Sequence, residues 1–232
     1  MPSSVEPIFS LAELAQACRF GRVNDVSRPA AQRTGFNELD RALPIGGWPI
    51  GALTEIMPHT EGIGELRLVM PALAALSREQ RYVAFIAPPY LPYPPALVQQ
   101  GIKLEQIVLI EKQTLASSLW AAEQMLRCAA FGAVLIWPAS IGDKESRRLQ
   151  LAAEAGQTLA IIYRPPSAAR THSPAALRLC LHPDKTGLRI EIKKCRGGHA
   201  GQIVHCTTSL LDESDANGAD DTPINHLNNR VA

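Results

Sequence analysis

The sequence predicts an α/β fold in which helices flank a mostly parallel β-sheet, followed by a C-terminal antiparallel β-hairpin and a disordered acidic tail. Three observations lead to this expectation. Short apolar runs alternate with helical patterns through residues 34–170, and a period-two pattern follows in residues 171–210. Residues 211–232 are polar and contain five acidic residues but one basic residue. The 232-residue chain is 46% hydrophobic and 19% charged, which is sufficient for a folded core.

The central block contains five short, almost continuous apolar runs. Such runs are typical of strands that are covered on both faces, and they are Ala52–Ile56, Tyr82–Ala87, Ile107–Ile110, Ala133–Trp137 and Thr158–Tyr163. One-sided apolar stripes at helical spacing predict helices at Leu66–Leu76, Ser117–Ala130 and Lys144–Ala155. Because strands and helices alternate, the sheet should be mostly parallel with helices on both faces.

The segments that flank this block have different patterns. Apolar and polar residues alternate in Leu177–Leu181 and Leu188–Ile192, with a turn-rich link between them, which predicts an antiparallel hairpin with one solvated face. Gln202–Cys206 could add a third strand. Residues 1–33 predict a short helix, with helical spacing from Phe9 to Cys18, and a linker. Residues 211–232 are expected to be a disordered acidic tail.

Composition argues against several classes of protein. The formal net charge is +1, so DNA binding would have to depend on a local patch. The first eleven residues do not resemble a signal peptide, and no apolar run approaches the ~20 residues of a membrane span. The five cysteines have no C-x-x-C spacing and the histidines have no metal-ligand spacing. We therefore expect a cytoplasmic protein without a metal and without membrane contact.

The loop after the first core strand stands where a nucleotide-binding α/β fold holds phosphates. Loop N–H groups and a helix N-terminus form an anion site there. The working pattern is G-x-x-x-x-G-K-[ST], in which lysine contacts the phosphates and the hydroxyl holds Mg²⁺. Gly62 matches the second glycine, but Met57, Ile63 and Gly64 replace the first glycine, the lysine and the hydroxyl residue. Shifting the motif by two residues, so that Gly64 matches the second glycine, gives a worse alignment because it places Glu65 at the lysine position.

Two further groups needed for phosphoryl transfer are also missing. Pro138 follows the apolar run Gly132–Trp137, where a metal-binding Asp belongs, and Ala87–Tyr90 has no acid where a catalytic carboxylate belongs. We therefore expect no ATP hydrolysis, no bound nucleotide, no cofactor and no enzymatic activity. The alternative is that residues 57–64 are an ordinary βα loop of an α/β protein.

Several segments resemble one known family in their order and spacing. Residues 34–51 (TGFNELDRALPIGGWPIG) resemble the lead-in to a RecA core, with the patterns T/S-G-x-x-x-L-D-x-x-L and G-G-x-P-x-G. Residues 52–56, 62–66, 69–77, 85–93, 164–167 and 188–198 are similar to ImuA, the RecA- and SulA-related accessory protein of bacterial inducible mutagenesis. The similarity spans roughly residues 34–205 and implies a RecA-like core over residues 34–170 with a degenerate phosphate loop.

This resemblance implies a non-catalytic adaptor in SOS-induced translesion DNA synthesis. The implied partners are an ImuB-like inactive Y-family polymerase and an error-prone replicative-type polymerase, with RecA and DNA as further partners. The alternative is a SulA-type SOS cell-division inhibitor that binds the tubulin-like FtsZ. SulA shares the middle of the pattern, including Val134–Trp137 and Arg164–Ser167, whereas Gly46–Pro49 and Lys193–Gly198 favour ImuA.

The predicted hairpin carries the strongest basic cluster in the sequence. Its candidate DNA contacts are Arg178, Arg189, Lys193, Lys194 and Arg196. Phosphate contacts of this kind would be independent of sequence and sensitive to salt. The alternative is a solvated hairpin face that Asp184 and Glu191 partly neutralise.

Two loops are candidate surfaces for a protein partner. Tyr90 and Tyr93 lie in a proline-rich loop, and aromatic residues on stiff loops suit binding hot spots. Arg164 and Arg170 flank a second loop, which follows a core strand at the end where α/β sheets place ligands. The alternatives are a rigid connector and an ordinary surface loop. Trp120 is the tryptophan expected to be partly exposed.

Overall fold

The computed structural model describes residues 31–207, so the predicted N-terminal helix and acidic tail lie outside the described residues. Within that range the chain forms ten strands and five α-helices. The strands are β1 Ala31–Gln32, β2 Trp48–Pro49, β3 Leu53–Pro58, β4 Tyr82–Ile86, β5 Ile107–Ile110, β6 Phe131–Ile136, β7 Leu159–Tyr163, β8 Leu177–Pro183, β9 Gly187–Cys195 and β10 Ile203–Thr207. The helices are α1 Asn37–Ala42, α2 Met70–Arg78, α3 Pro94–Gln99, α4 Leu115–Arg127 and α5 Asp143–Gly156.

Eight of these strands form one sheet, with the order β10-β9-β8-β3-β7-β6-β4-β5. Every pairing from β8 across to β5 is parallel, whereas β8, β9 and β10 pair antiparallel. This arrangement confirms the predicted mixed α/β fold with a mostly parallel sheet and a C-terminal antiparallel hairpin. Because β8 pairs directly with β3, the hairpin continues the central sheet.

The central strands are apolar throughout because both faces of the sheet are covered. In β4, Val83 and Phe85 belong to one core cluster, whereas Ala84 and Ile86 belong to the other. The first cluster includes α2, and the second includes α4 and α5. No helix within residues 31–207 combines the length and the apolarity needed to cross a membrane.

Local sequence features determine where the helices begin and end. The Thr114 hydroxyl accepts a hydrogen bond from the Ser117 N–H and caps α4. Helix α5 ends where Gln157 adopts a left-handed conformation. Helix α2 begins at Met70, later than the predicted Leu66, because residues 65–69 form irregular turns and Pro71 stands in the first helical turn.

Candidate functional site

The loop at the phosphate position is occupied by a side chain of the protein itself. The Gly62 N–H donates a 3.0 Å hydrogen bond to Glu65 Oε1. An amide that would point at a phosphate oxygen in a working loop therefore binds a carboxylate from three residues along the chain. Because α2 does not begin until Met70, the helix N-terminus also lies beyond the loop.

An aromatic stack lies at the carboxyl ends of the adjoining strands. Trp137, just after β6, stacks on Tyr163 of β7 with ring centroids 4.5 Å apart and an angle of 4° between the planes. On its other side, Trp137 faces Phe85 of β4 at 6.2 Å and 12°. Ile63 of the loop packs against the same apolar cluster. The stack fills this edge of the sheet with hydrophobic side chains.

Tyr163 links the aromatic stack to the loop. Its hydroxyl donates a hydrogen bond to the Glu65 backbone carbonyl, with a distance of 3.3 Å between the oxygens. Burial, helped by the nearby Glu65 carboxylate, raises the pKa of Tyr163 far above its usual value. The phenol therefore stays protonated and remains a donor to the loop.

The other two positions of the degenerate site provide no ligand either. Pro138 follows Trp137 directly after β6 and has no side-chain donor atom for a metal. Ala87, at the end of β4, adopts a positive φ of 51°, and its N–H donates to the Ile110 carbonyl. Neither position holds a group that could bind Mg²⁺ or activate water.

Sequence reasoning missed a buried ionic cluster around β3, on the face of the sheet opposite the aromatic stack. Glu55 is completely buried, and its two carboxylate oxygens accept hydrogen bonds from Arg164 Nη1 at 2.9 Å and from Arg178 Nε at 2.7 Å. The Ser173 hydroxyl adds a third hydrogen bond at 2.6 Å. A glutamate within a predicted buried strand was the signal, because a buried carboxylate requires cationic partners.

This cluster corrects two predicted surface residues. Arg178 was predicted to contact DNA, but only 7% of its side chain is exposed, and its guanidinium also donates to the Thr171 and Ala168 carbonyls. Arg164 was predicted to bind a partner, but 13% of its side chain is exposed and it is paired with Glu55. Both arginines attach the segment after β7 to β3 instead. Arg170, the other residue predicted with Arg164, is exposed.

The remaining basic residues of the hairpin differ in how freely they could bind an anion. Lys193 is exposed but donates to Glu191 at 2.8 Å, and Lys194 donates to the Ser173 carbonyl at 2.8 Å. Burial and the neighbouring Arg178 and Arg196 lower the pKa of Lys194.

Two arginines of the hairpin remain available. Arg189 is half-buried and Arg196 is exposed, and neither forms a salt bridge to another residue within 31–207. The register of the strands places Arg178 opposite Lys194 and Arg189 opposite His182. Arg178 and Arg189 therefore lie on the same face of the hairpin, as the alternation predicts. Burial of Arg178 nevertheless removes it from the solvated part of that face.

The proline-rich loop presents large apolar side chains to solvent. Tyr90 is 73% exposed and Tyr93 is 70% exposed, and Leu91 between them is also exposed. Pro94 and Pro95 begin α3 directly after the loop, and Val98 on that helix is exposed too. This surface, Tyr90–Tyr93 with Val98, is hereafter called the tyrosine loop.

A groove of about 420 Å³ lies between α4 and α5. Leu115, Leu119, Ile141 and Leu149 contribute apolar walls, and Trp120 lies at the rim with 52% of its surface exposed. The partial exposure expected for Trp120 is therefore confirmed. Glu123 in the groove pairs with Arg127 and Arg148, which places charges along one side.

The central part of the chain is similar to a family of cell division inhibitors. Residues 51–160 match the family model described as "Cell division inhibitor SulA". The cell division inhibitor SulA of Pectobacterium carotovorum is 26% identical over 147 residues, which are 63% of this chain and 88% of that protein. SulA of Pectobacterium atrosepticum is 29% identical over 119 residues, which are 51% of this chain and 71% of that protein.

Two further similarities extend the comparison. Protein RecA of Brevibacillus brevis is 26% identical over 118 residues, which are 51% of this chain and 33% of RecA. The crystal structure of SulA from Pseudomonas aeruginosa matches with 25% sequence identity and a TM-score of 0.41, covering 48% of this chain and 97% of that one.

The fold and the site define an α/β protein whose phosphate-loop position is filled by its own side chains. Within that class, the chain resembles the SulA cell division inhibitors across its central half and is also similar to RecA. The family-model match and the curated SulA relatives support a SulA-type protein better than the predicted assignment to ImuA.

Proposed function

We propose that this chain is a non-catalytic cell division inhibitor of the SulA type, which acts in the SOS response by binding the tubulin-like protein FtsZ in the cytoplasm. The match of residues 51–160 to the SulA family model is the observation on which this proposal depends. The site geometry agrees with it, because a loop filled by Glu65 and an adjoining Trp137 stack suit a protein that acts by binding, not by ATP hydrolysis.

The tyrosine loop is the first surface to test as the contact with FtsZ. Rigid, exposed aromatic side chains lose little entropy when they are buried, and they are enriched among residues that dominate binding energy. Tyr90 and Tyr93 both have these properties. The exposed Arg170 is a second candidate, whereas the pairing of Arg164 with Glu55 makes it a residue that positions the neighbouring loop.

The experiment is co-sedimentation with GTP-assembled FtsZ, together with FtsZ light scattering. The wild-type chain should reduce the sedimented FtsZ at a stoichiometric ratio. Tyr90→Ala combined with Tyr93→Ala should weaken this inhibition at least tenfold, and Trp120→Ala, another exposed aromatic on a different surface, is the matched control. Unchanged FtsZ assembly at excess wild-type chain would overturn the proposal.

A second candidate function is the ImuA-like adaptor in translesion DNA synthesis. It is favoured by two segments that lie outside residues 51–160. These are the Gly46–Pro49 lead-in and the segment Lys193–Gly198, which begins in β9. An adaptor would bind an ImuB-like inactive polymerase or an error-prone replicative-type polymerase, with RecA and DNA as further partners. Pull-down with purified ImuB-like protein, run beside the FtsZ assay, distinguishes the two functions.

A further inference from the structure

Two histidine rings meet where the neighbouring strands β3 and β8 end. His59 directly follows β3, and its N–H donates a 2.8 Å hydrogen bond to the carbonyl of Leu181 in β8. The His59 ring lies next to the ring of His182, with 5.4 Å between the ring centroids. Metal-ligand spacing along the chain cannot reveal such a pair, because the two residues are far apart in the sequence.

The separation of the two rings suits one tetrahedral cation held by both imidazoles. A Zn²⁺ ion lies about 2.0–2.1 Å from a ligating histidine nitrogen, which places it about 3.2 Å from the ring centroid. Two such rings at the tetrahedral angle have centroids about 5.2 Å apart, close to the 5.4 Å between His59 and His182. Two ligands at a right angle, as in square-planar or octahedral coordination, would bring the centroids to about 4.5 Å.

Both rings are accessible, and the pair is available for ligation at neutral pH. His59 is exposed and His182 is half-buried, and neither forms a salt bridge to another residue within 31–207. Burial, together with the nearby Arg189 and His59, lowers the pKa of His182. The His182 imidazole is therefore mostly neutral at pH 7, which is the form that binds a metal.

The charges around the pair balance, so they do not exclude a divalent cation. Arg189 on β9 lies opposite His182, and Lys193 lies farther along the same strand. Asp184 in the β8–β9 turn and Glu191 on β9 carry the opposite charge, and Glu191 pairs with Lys193 at 2.8 Å. A cation at the two rings therefore meets no net repulsion from these four side chains.

We propose that His59 and His182 bind one Zn²⁺ ion between the ends of β3 and β8, with water at its remaining positions. Within residues 31–207 no group of three or more His, Cys, Asp or Glu side chains could hold a metal, so the protein supplies two ligands. Imidazole suits Zn²⁺, whereas Mg²⁺ prefers oxygen ligands. The ion links the hairpin to the central sheet through side chains. This inference is independent of the proposed function, since it concerns only these two rings.

Competition with a chromophoric zinc indicator at about pH 7.5 measures the affinity of the full chain for Zn²⁺. His59→Ala and His182→Ala should each weaken binding at least tenfold, because each leaves a single imidazole. The matched control is His199→Ala, which removes another exposed histidine and should leave the affinity unchanged. All variants keep the five cysteines, so thiols contribute equally. Unchanged affinity in His59→Ala, or an equal loss in His199→Ala, would overturn the inference.

Nuclear magnetic resonance of the histidine rings identifies the ligands in the unaltered chain. One equivalent of Zn²⁺ should shift the ring signals of His59 and His182 more than those of the other histidines, and excess Mg²⁺ should shift neither. Lowering the pH to about 5.5 should reverse these shifts, because a protonated imidazole cannot bind the ion. Zinc-dependent shifts that spread evenly over all histidines, or that spare this pair, would contradict the proposed site.

Discussion

Removing the charge of Glu55 should be among the most destabilising conservative substitutions in this protein. Its carboxylate is completely buried between the guanidinium groups of Arg164 and Arg178, whose side chains are 13% and 7% exposed. Glu55→Gln keeps the side-chain shape but leaves two largely buried cations without a counter-charge. It also directs an amide N–H₂ toward a guanidinium group, which can only donate hydrogen bonds.

Breaking a buried ion pair by removing one partner typically costs about 3–5 kcal/mol in the free energy of unfolding, because an uncompensated charge stays buried. Two paired arginines place Glu55→Gln within that range. With a urea m-value of about 2 kcal/mol/M, the loss lowers the denaturation midpoint by about 1.5–2.5 M.

Urea unfolding followed by far-ultraviolet circular dichroism measures this shift, with the m-value compared to test for two-state behaviour. The matched control is Glu123→Gln, because Glu123 also pairs with two arginines, but these are 47% and 55% exposed. Pairs exposed to water contribute about 1 kcal/mol or less. If Glu55→Gln lowered stability no more than Glu123→Gln did, the reasoning about the buried cluster would be refuted.

Three further predictions concern other parts of the molecule. Gly156→Ala should destabilise the protein by about 2 kcal/mol or more in the same urea assay, because a Cβ at this site would lie 1.9 Å from the Leu126 carbonyl oxygen. A loss of less than about 0.5 kcal/mol in the free energy of unfolding would show that α4 and α5 separate easily. Burial raises the pKa of Cys206 to about 12, so its thiolate fraction at pH 8 is roughly a thousandfold lower than for an ordinary thiol. Labelling of Cys206 by a thiol reagent in the native protein should be correspondingly slow, and rapid labelling would contradict its burial. Isothermal titration with Mg-ATP should show no binding at millimolar nucleotide, because Glu65 and the Trp137 stack occupy the loop and its neighbourhood; tight binding would refute this account of the site.

The sequence predicted the elements whose pattern arises from burial. The run Ile107–Ile110 coincides with β5, and the predicted helix Lys144–Ala155 differs from α5 by one residue at each end. Both patterns arise from the side chains of the segment itself. The short helices α1 and α3 were not predicted, since six residues are too few to show a helical period.

The candidate site was harder to predict because it depends on which distant residues meet. The wrong residues at the phosphate loop were apparent from sequence, but Glu65 binding the Gly62 N–H was not. Arg178 was assigned to a surface from the alternation of polar and apolar residues along β8. Alternation identifies the face of the sheet that a side chain occupies, but it cannot show that the segment 166–173 covers that face.

The carboxylate of Glu65 on the Gly62 amide also bears on how this protein could be regulated. Proteins that exchange a bound nucleotide move between two states, and the nucleotide determines which partner each state binds. Here the anion at the loop is the Glu65 side chain of the same chain, so it does not dissociate as a nucleotide does. Without a nucleotide to select between states, occupancy of a partner depends on how much protein is present relative to the dissociation constant. Synthesis and degradation would then serve as the on and off signals.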